Sequence, residues 1–265
     1  MSYNISAPPQ HLSPYVQYIW QVEIALDNKK SFTHIATASS CSGLQFYFDG
    51  GFSNSENSCF ESFEKTAIFH GQTSHAQDFI TTGSAGIVGV KFYPYAIPVL
   101  FAMPAPELTN QMLTLHMLLG FRGTELAESI FFANSFAERV DLIVQFLTNQ
   151  VHSTKPIDEK LIHITRLISL PNSKNDIGSL SKIACLSERQ FERKFKELVG
   201  LSPKSYAKII RFEKAKAHFE TNRYSLTEVA ISCGYYDQAH FNHDFKALSG
   251  YNPKEFYQNY SDITF

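Results

Sequence analysis

Hydrophobic positions in the first part of the chain follow the spacing of β-strands. Residues 44–48 and 86–92 are short runs of aromatic, aliphatic and β-branched side chains, a composition typical of strands. Turn residues separate such runs, as at residues 41–43 and 49–51. The pattern predicts a small β-barrel or sandwich over about residues 1–105, in which residues 12–20 fit either a strand or a helix.

From about residue 106 to residue 150 the hydrophobic spacing lengthens to that of helices. Two sets of apolar residues recur at short helical intervals, and we expect one helix for each set. The first set is Leu108, Met112, Leu115 and Leu119, and the second is Phe136, Val140, Ile143, Val144 and Leu147.

The most informative pattern is a repeat at an offset of 50 residues near the end of the chain. Residues 191–204 read FERKFKELVGLSPK and residues 241–254 read FNHDFKALSGYNPK, with seven identical positions. The shared Phe pair and Leu form one apolar helix stripe, the shared Gly ends that helix, and the shared Pro begins the next one. One scaffold is therefore used twice while its exposed residues differ, as expected of two units that contact different parts of one target.

A shorter predicted helix precedes each copy and completes a helix-turn-helix. Ser187 and Asp237 are the expected N-caps of the second helices, and Ser225 is the expected N-cap of the shorter helix of the second unit. Gln190 completes a capping box with Ser187, and Glu228 completes one with Ser225. Two helices joined by a tight turn, the second with a charged outer face, place that second helix in the major groove of DNA. We therefore predict helix-turn-helix units at about residues 179–199 and 225–249.

One set of positions in this region carries a family pattern. It comprises Leu180, Ala184, Leu186, Ser187, Arg189, Gln190, Phe191, Arg193, Phe195, Gly200, Ser202, Pro203, Arg211, Ala215, Ala230, Gly234, Tyr235, Phe241, Phe245, Lys246, Gly250 and Pro253. With these residues the chain from about residue 158 resembles the DNA-binding domain of the AraC/XylS transcription regulators. The resemblance implies two units joined by a long helix over about residues 204–220. It also implies that both second helices enter successive major-groove segments, about 34 Å apart.

The first half resembles the sensor domain often attached to such regulators, a cupin-like barrel followed by helices. This resemblance rests on residues 12–20, Gly71, residues 89–96 and residues 107–110. It implies small-molecule sensing inside the barrel and dimer contacts through the helices. An apolar pocket lined by Phe46, Phe48, Phe69 or Phe92 is one interpretation of the aromatic residues and plain core packing is the other, so the ligand-binding residues stay unknown.

The fold class expected is α+β, with an N-terminal cupin-like β-barrel, trailing helices and a C-terminal all-α tandem helix-turn-helix domain. We expect a sensor and dimerisation domain over residues 1–150 (barrel to about 105, helices from about 106), a linker over 151–157 and a DNA-binding domain over 158–265. Of the 23 Lys and Arg and 25 Asp and Glu, residues 151–265 hold 17 and 13, a net charge of +4. This half is thus the basic one, which fits a nucleic-acid partner.

Positions on the predicted outer faces supply the candidate DNA contacts. By the resemblance, the base-reading residues are Arg189, Glu192 and Arg193 on the first helix, and Gln238, Ala239, Asn242 and His243 on the second. Arg suits guanine, Glu suits cytosine, and Gln and Asn suit adenine. Lys204 and Lys254, in the first turns of the following helices, are candidates for phosphate.

Other chemistry has little support in the sequence. His34, His70 and His75 are the candidates for a metal site, but the close His pair with a downstream Glu that cupin enzymes carry is absent, so we predict neither a metal nor another cofactor. The four cysteines form no C-x-x-C pair, and we expect Cys185 and Cys233 to be buried at helix turns. The chain also lacks phosphate-loop, dinucleotide and nucleophile-elbow motifs, which favours a protein without enzyme activity.

The sequence therefore predicts a cytoplasmic DNA-binding transcription regulator under the control of a small molecule or partner. Nothing resembles a signal peptide, and no apolar run approaches the roughly 18 residues needed to span a bilayer. The expected partners are double-stranded DNA, a small-molecule effector, RNA polymerase and a second copy of the chain. Two alternatives stay open, a metal-dependent cupin-type enzyme fused to a DNA-targeting module and a constitutive regulator with a purely structural N-terminal domain.

Overall fold

The computed structural model describes residues 1–25, 31–54, 63–151, 158–170, 176–219 and 225–260. Of the predicted linker, only Val151 lies within these ranges. Cys59, Glu220 and the last five residues lie outside them. No helix within the described ranges is both long and apolar enough to cross a membrane.

The strands occupy most of the first 114 residues. They are β1 (Ser2–Ser6), β2 (Val16–Ile24), β3 (Ser31–Ala36), β4 (Gly43–Asp49), β5 (Ser53–Asn54), β6 (Thr66–His70), β7 (Gln77–Thr82), β8 (Ala85–Phe92) and β9 (Met112–Thr114). They pair antiparallel in two sheets, of order β1-β2-β8-β4-β6-β9 and β3-β7-β5. Within the described residues, these sheets are not joined into one closed barrel.

The helices fill the rest of the chain. They are α1 (Ala96–Leu100), α2 (Ala105–Leu108), α3 (Leu115–Leu119), α4 (Phe121–Phe132), α5 (Phe136–Val151), α6 (Glu159–Ser169), α7 (Ile177–Ala184), α8 (Glu188–Val199), α9 (Pro203–Phe219), α10 (Leu226–Ser232), α11 (Gln238–Ser249) and α12 (Pro253–Tyr260). Strands followed by helices confirm the expected α+β fold class. In the segment 12–20, where the sequence left two possibilities, residues 16–20 form part of strand β2.

Alternation along the strands of the large sheet separates two environments. Side chains such as Phe46, Phe69 and Phe92 pack in one core with α4 and α5, whereas Tyr47 and Ile87, at alternate positions, pack in another with the small sheet. This is the period of two expected of a sheet with both faces covered. The large sheet therefore has helices on one face and the small sheet on the other.

Of the two helices expected in this half of the chain, one is wrong in detail. The single helix drawn through Leu108, Met112, Leu115 and Leu119 is in fact α2, β9 and α3 in succession. Met112 pairs with His70 at the edge of the large sheet, so sheet pairing overrides the helical spacing there. The second expected helix is confirmed as α5.

The C-terminal half is built as the repeat predicts. Ser187 and Ser225 form complete capping boxes, and Gly200 and Gly250 end α8 and α11 in the left-handed conformation, with φ of 85° and 81°. Phe191, Phe195, Phe241 and Phe245 are fully buried in one continuous core that α9 shares with both units. Cys233 is buried as expected, but Cys185 is exposed because it lies in the left-handed turn that ends α7.

Candidate functional site

The first helix-turn-helix presents an exposed polar face on α8. Its capping box fixes where α8 begins, and burial of its Phe stripe fixes which face points out. Arg189, Glu192 and Arg193 are all exposed on that outer face. Arg193 Nη1 lies 3.1 Å from Glu197 Oε1, a solvent-exposed pair that contributes little stability and leaves the guanidinium available to a target.

The second unit presents a less charged face on α11. Asp237 caps this helix by accepting from the backbone N–H of His240, and Gln238, Ala239, Asn242 and His243 are exposed along it. Thr227 Oγ1 donates to Gln238 Oε1 at 3.1 Å, which leaves the amide N–H groups of Gln238 to donate outward. Those groups suit acceptors such as adenine or guanine N7.

A buried carboxylate that the sequence did not single out fixes α11 against α9. Asp244 Oδ1 lies 2.9 Å from Lys208 Nζ, and its Oδ2 lies 3.3 Å from His240 Nε2. Burial raises the pKa of Asp244, but the hydrogen bond and charge of Lys208 lower it by more, so the net pKa is lowered. Asp244 thus has a packing role, because it holds α11, the second helix of this unit, in place.

Lys204 and Lys254 are exposed in the first turns of α9 and α12, at equivalent positions of the two units. Ser202 Oγ accepts from the N–H of Ser205, and Asn252 Oδ1 accepts from the N–H of Glu255, so a side chain caps each helix. Exposure and helix position suit contact with a phosphate backbone.

A cavity of about 460 Å³ lies between the two sheets and is closed on one side by α9. Aromatic side chains supply much of its wall, including Tyr18, Trp20, Tyr47, Phe52 and Phe79. The polar lining includes Gln45, His34, His70, Lys91, Glu213 and Lys216. Phe46, Phe69 and Phe92 point to the helical side instead, so of the two interpretations given above they are core packing, and the cavity lies on the opposite face of the sheet.

Lys91 is the notable charge in this cavity. Among the described residues, no carboxylate oxygen lies within 4.0 Å of its ammonium group, the distance that defines an ion pair. Its side-chain hydrogen-bond partner is the hydroxyl of Tyr18. Burial lowers its pKa, but the Cys41 thiol, the Tyr18 hydroxyl and the Glu213 carboxylate raise it by more, so the net pKa is raised. A largely buried cation without a close anion favours an anionic ligand beside it.

Two histidines in the same cavity are uncharged at neutral pH. Burial lowers the pKa of His34 and of His70 to about 4. His70 Nε2 is buried without a hydrogen-bond partner in the described chain. The described residues hold no group of three His, Cys, Asp or Glu side chains placed to bind a metal ion, so His34, His70 and His75 do not make the site considered above.

Comparison with known proteins finds a separate match for each half of the chain. The sequence profile of a helix-turn-helix domain matches residues 180–259, and that of a domain of unknown function matches residues 4–114. The arabinose operon regulatory protein of Escherichia coli K12 is 28% identical over 124 residues, which cover 44% of this chain and 42% of that protein. Residues 180–259 are a helix-turn-helix domain of the AraC/XylS type.

Another relative and a solved structure are also similar to this chain. The transcriptional regulator MtrA of Neisseria gonorrhoeae is 32% identical over 100 residues, 37% of this chain and 33% of MtrA, so the chain spans less than half of either of these relatives. A crystal structure of an apo variant of ToxT from Vibrio cholerae superposes with a TM-score of 0.52 at 13% identity, covering 93% of this chain and 98% of ToxT. At that identity the likeness shows a shared fold.

Replacing Arg193 by Ala tests whether the exposed face of α8 in this AraC/XylS-type domain contacts bases. The expected loss is about 1–3 kcal/mol of binding free energy, with relaxed base preference at one operator position. Lys160→Ala on α6 removes one exposed positive charge elsewhere and serves as the control in a DNA-binding titration. An equal loss on all DNA sequences would instead assign Arg193 to phosphate.

Proposed function

We propose that this protein is a sequence-specific DNA-binding transcription regulator whose DNA occupancy is controlled by a small molecule. The observation that supports the DNA partner is the duplicated helix-turn-helix, in which equivalent faces of α8 and α11 are exposed while the opposite faces share one core. Such paired helices suit two blocks of bases one helical turn apart. The proposed function needs no catalytic step.

In this proposal the site residues keep the roles predicted from the sequence. Arg189, Glu192 and Arg193 read the first block of bases, and the second block is read by Gln238, Ala239, Asn242 and His243. Lys204 and Lys254 bind phosphates. The second block is expected to favour adenine, since Gln and Asn pair with its N6 and N7 positions.

The effector we propose is a carboxylic acid with an apolar body, bound in the cavity between the sheets. ToxT, whose fold this chain shares, has been crystallised with an unsaturated fatty acid and with a naphthalenyl-butenoic acid. In the present chain the aromatic wall suits the body of such a molecule, and Lys91 suits its carboxylate. Lys216 and Glu213 on α9 also line the cavity, so a bound acid would contact both halves and bias how they dock.

Selection from a random pool of double-stranded DNA, with and without oleate, tests both parts. We expect an enriched motif of two short blocks about one helical turn apart. We also expect oleate to change the enrichment of this motif. Oleyl alcohol, the uncharged analogue, should leave the enrichment unchanged. Loss of the oleate effect in Lys91→Met would locate the acid. No motif under any condition would end the regulator proposal, and a motif indifferent to oleate would end the acid proposal alone.

A second copy of the chain and RNA polymerase are the further partners that we propose, in the cytoplasm. Phe121 and Phe132 are 81% and 82% exposed and lie about three turns apart on one face of α4, which suits contact with a second copy. We expect the wild type to sediment as a dimer at micromolar concentration and Phe132→Glu as a monomer, and identical sedimentation would reject this surface. Transcription with purified RNA polymerase would separate activation from repression.

A further inference from the structure

The second helices of the two units, α8 and α11, which we call the reading helices, both end against the N-terminal half of the chain. At the end of α8, Thr109 Oγ1 donates to the carbonyl oxygen of Gly200 at 3.1 Å. In the last turn of α11, the carbonyl oxygen of Leu248 accepts from the backbone N–H of Ala38 at 2.9 Å. Gly200 corresponds to Gly250 in the repeat, so the N-terminal half holds the same end of both helices.

The contact at Gly200 is too close to admit a side chain at this position. A Cβ atom on this residue would lie 2.3 Å from Thr109 Oγ1 and 3.1 Å from the carbonyl oxygen of Ala105. Its φ of 85° also requires the left-handed conformation that glycine adopts without strain. The end of α8 is therefore seated directly on α2.

The helix between the two units is held by the same part of the N-terminal half. Glu213 on α9 accepts from the N–H of Ser40 at 2.9 Å through Oε1 and from its hydroxyl at 2.7 Å through Oε2. Lys216 Nζ, one turn further, donates to Thr37 Oγ1 at 2.9 Å. Residues 37–40 thus contact both α9 and α11.

We propose that residues 37–40 together with Thr109, which we call the brace, set the separation of the two reading helices and so determine which spacing of operator blocks the protein accepts. This inference rests on the proposed DNA-binding function and adds to it. The base-contacting residues would choose the sequence of each block, and the N-terminal half would choose the distance between blocks.

The geometry of DNA makes such a brace selective. Moving one block by a single base pair shifts it by about 3.4 Å and rotates it by roughly a tenth of a turn. The hydrogen bonds of the brace weaken well before either of its ends has moved that far. A braced protein therefore has to break these contacts to follow the altered spacing, whereas an unbraced one does not.

The brace also borders the effector cavity. Residues 37–39 line that cavity, as do Glu213 and Lys216. A ligand that displaced this segment would act on α9 and α11 together, and the accepted spacing would then depend on the ligand.

The test compares full-length variants on a series of operators whose two blocks are moved apart or together by one base pair. Thr109→Val combined with Glu213→Ala removes three of the brace hydrogen bonds. Lys214→Met is the control, because it removes a hydrogen bond from α9 to Leu170 within the C-terminal half. We expect the ratio of affinities between the best and the shifted spacing to fall about tenfold in the brace variant and to stay unchanged in the control. Equal ratios in wild type and brace variant would overturn the inference.

A measurement without DNA separates this inference from the proposed function. Spin labels on non-natural amino acids at Lys196 and Lys246, two exposed and equivalent positions, report the distance between α8 and α11. We expect a narrow distribution in the wild type and a broader one in the brace variant, whatever DNA the protein binds. Equally narrow distributions would reject the brace, while a broadened distribution in a protein that binds no operator would reject only the DNA-binding function.

Discussion

Replacing Phe195 or Phe245 by Ala is expected to lower the free energy of unfolding of the helical half by about 3–5 kcal/mol, because each change leaves a cavity in a fully buried position. Phe195 lies 5.6 Å from the ring of Tyr206, between centroids. Phe245 lies 4.9 Å from Phe212 and 5.3 Å from Phe256. Both rings thus connect a reading helix to the helix that follows or precedes it.

Denaturant unfolding followed by circular dichroism measures this loss, since the helices of this half dominate the signal. The single tryptophan, Trp20, lies in the other half and reports separately on it by fluorescence. Tyr236→Ala is the matched control, because an aromatic side chain of the same half is removed from a position that is 92% exposed. A Phe195→Ala protein that unfolds like the wild type yet fails to bind DNA would show that this ring is not part of the core.

Local chemistry made the C-terminal half predictable. The capping boxes at Ser187 and Ser225 and the terminating glycines act within a few residues, so they can be recognised in the sequence without knowledge of the fold. The equal spacing of Phe191 with Phe195 and of Phe241 with Phe245 then identified the buried stripe. Which exposed residues contact DNA stays a prediction.

The N-terminal half was predicted less well because its elements are defined by partners distant in sequence. Met112 fits a helical period, yet in the structure it pairs with His70 as part of strand β9. No residue pattern near Met112 predicts that strand. Trp20, Tyr47 and Lys91 do alternate with core residues along their strands, which is a visible signal. Knowing that this alternate set faces a cavity required knowing that helices cover the other face.

Contacts between the halves had no sequence signal at all. Glu213 is 173 residues from Ser40, and Lys216 is 179 residues from Thr37. Each of these side chains fits an ordinary surface helix or turn. Their pairing appears only once the sheets and α9 are placed together.

Acidification is expected to destabilise the N-terminal half strongly between about pH 6.5 and pH 4. The pKa of His34 and of His70 is about 4 in the folded protein because both are buried, against 6.5 in an unfolded chain. Below pH 6.5 the unfolded chain therefore binds up to two protons that the folded protein does not, and folding stability falls with pH. The loss between pH 7 and pH 5 is about 2 kcal/mol for each histidine.

Fluorescence of Trp20, which lines the same cavity, measures this loss as a shift of the denaturation midpoint at a series of pH values. His70→Gln removes one of the two titrating groups and is expected to reduce the slope of stability against pH by about one proton. The same change at His75, an exposed histidine of this half, is the matched control. Identical slopes in wild type and His70→Gln would mean that His70 is protonated in the folded protein. In that case the cavity would already hold a positive charge beside Lys91, and its preference for an acid would be stronger still.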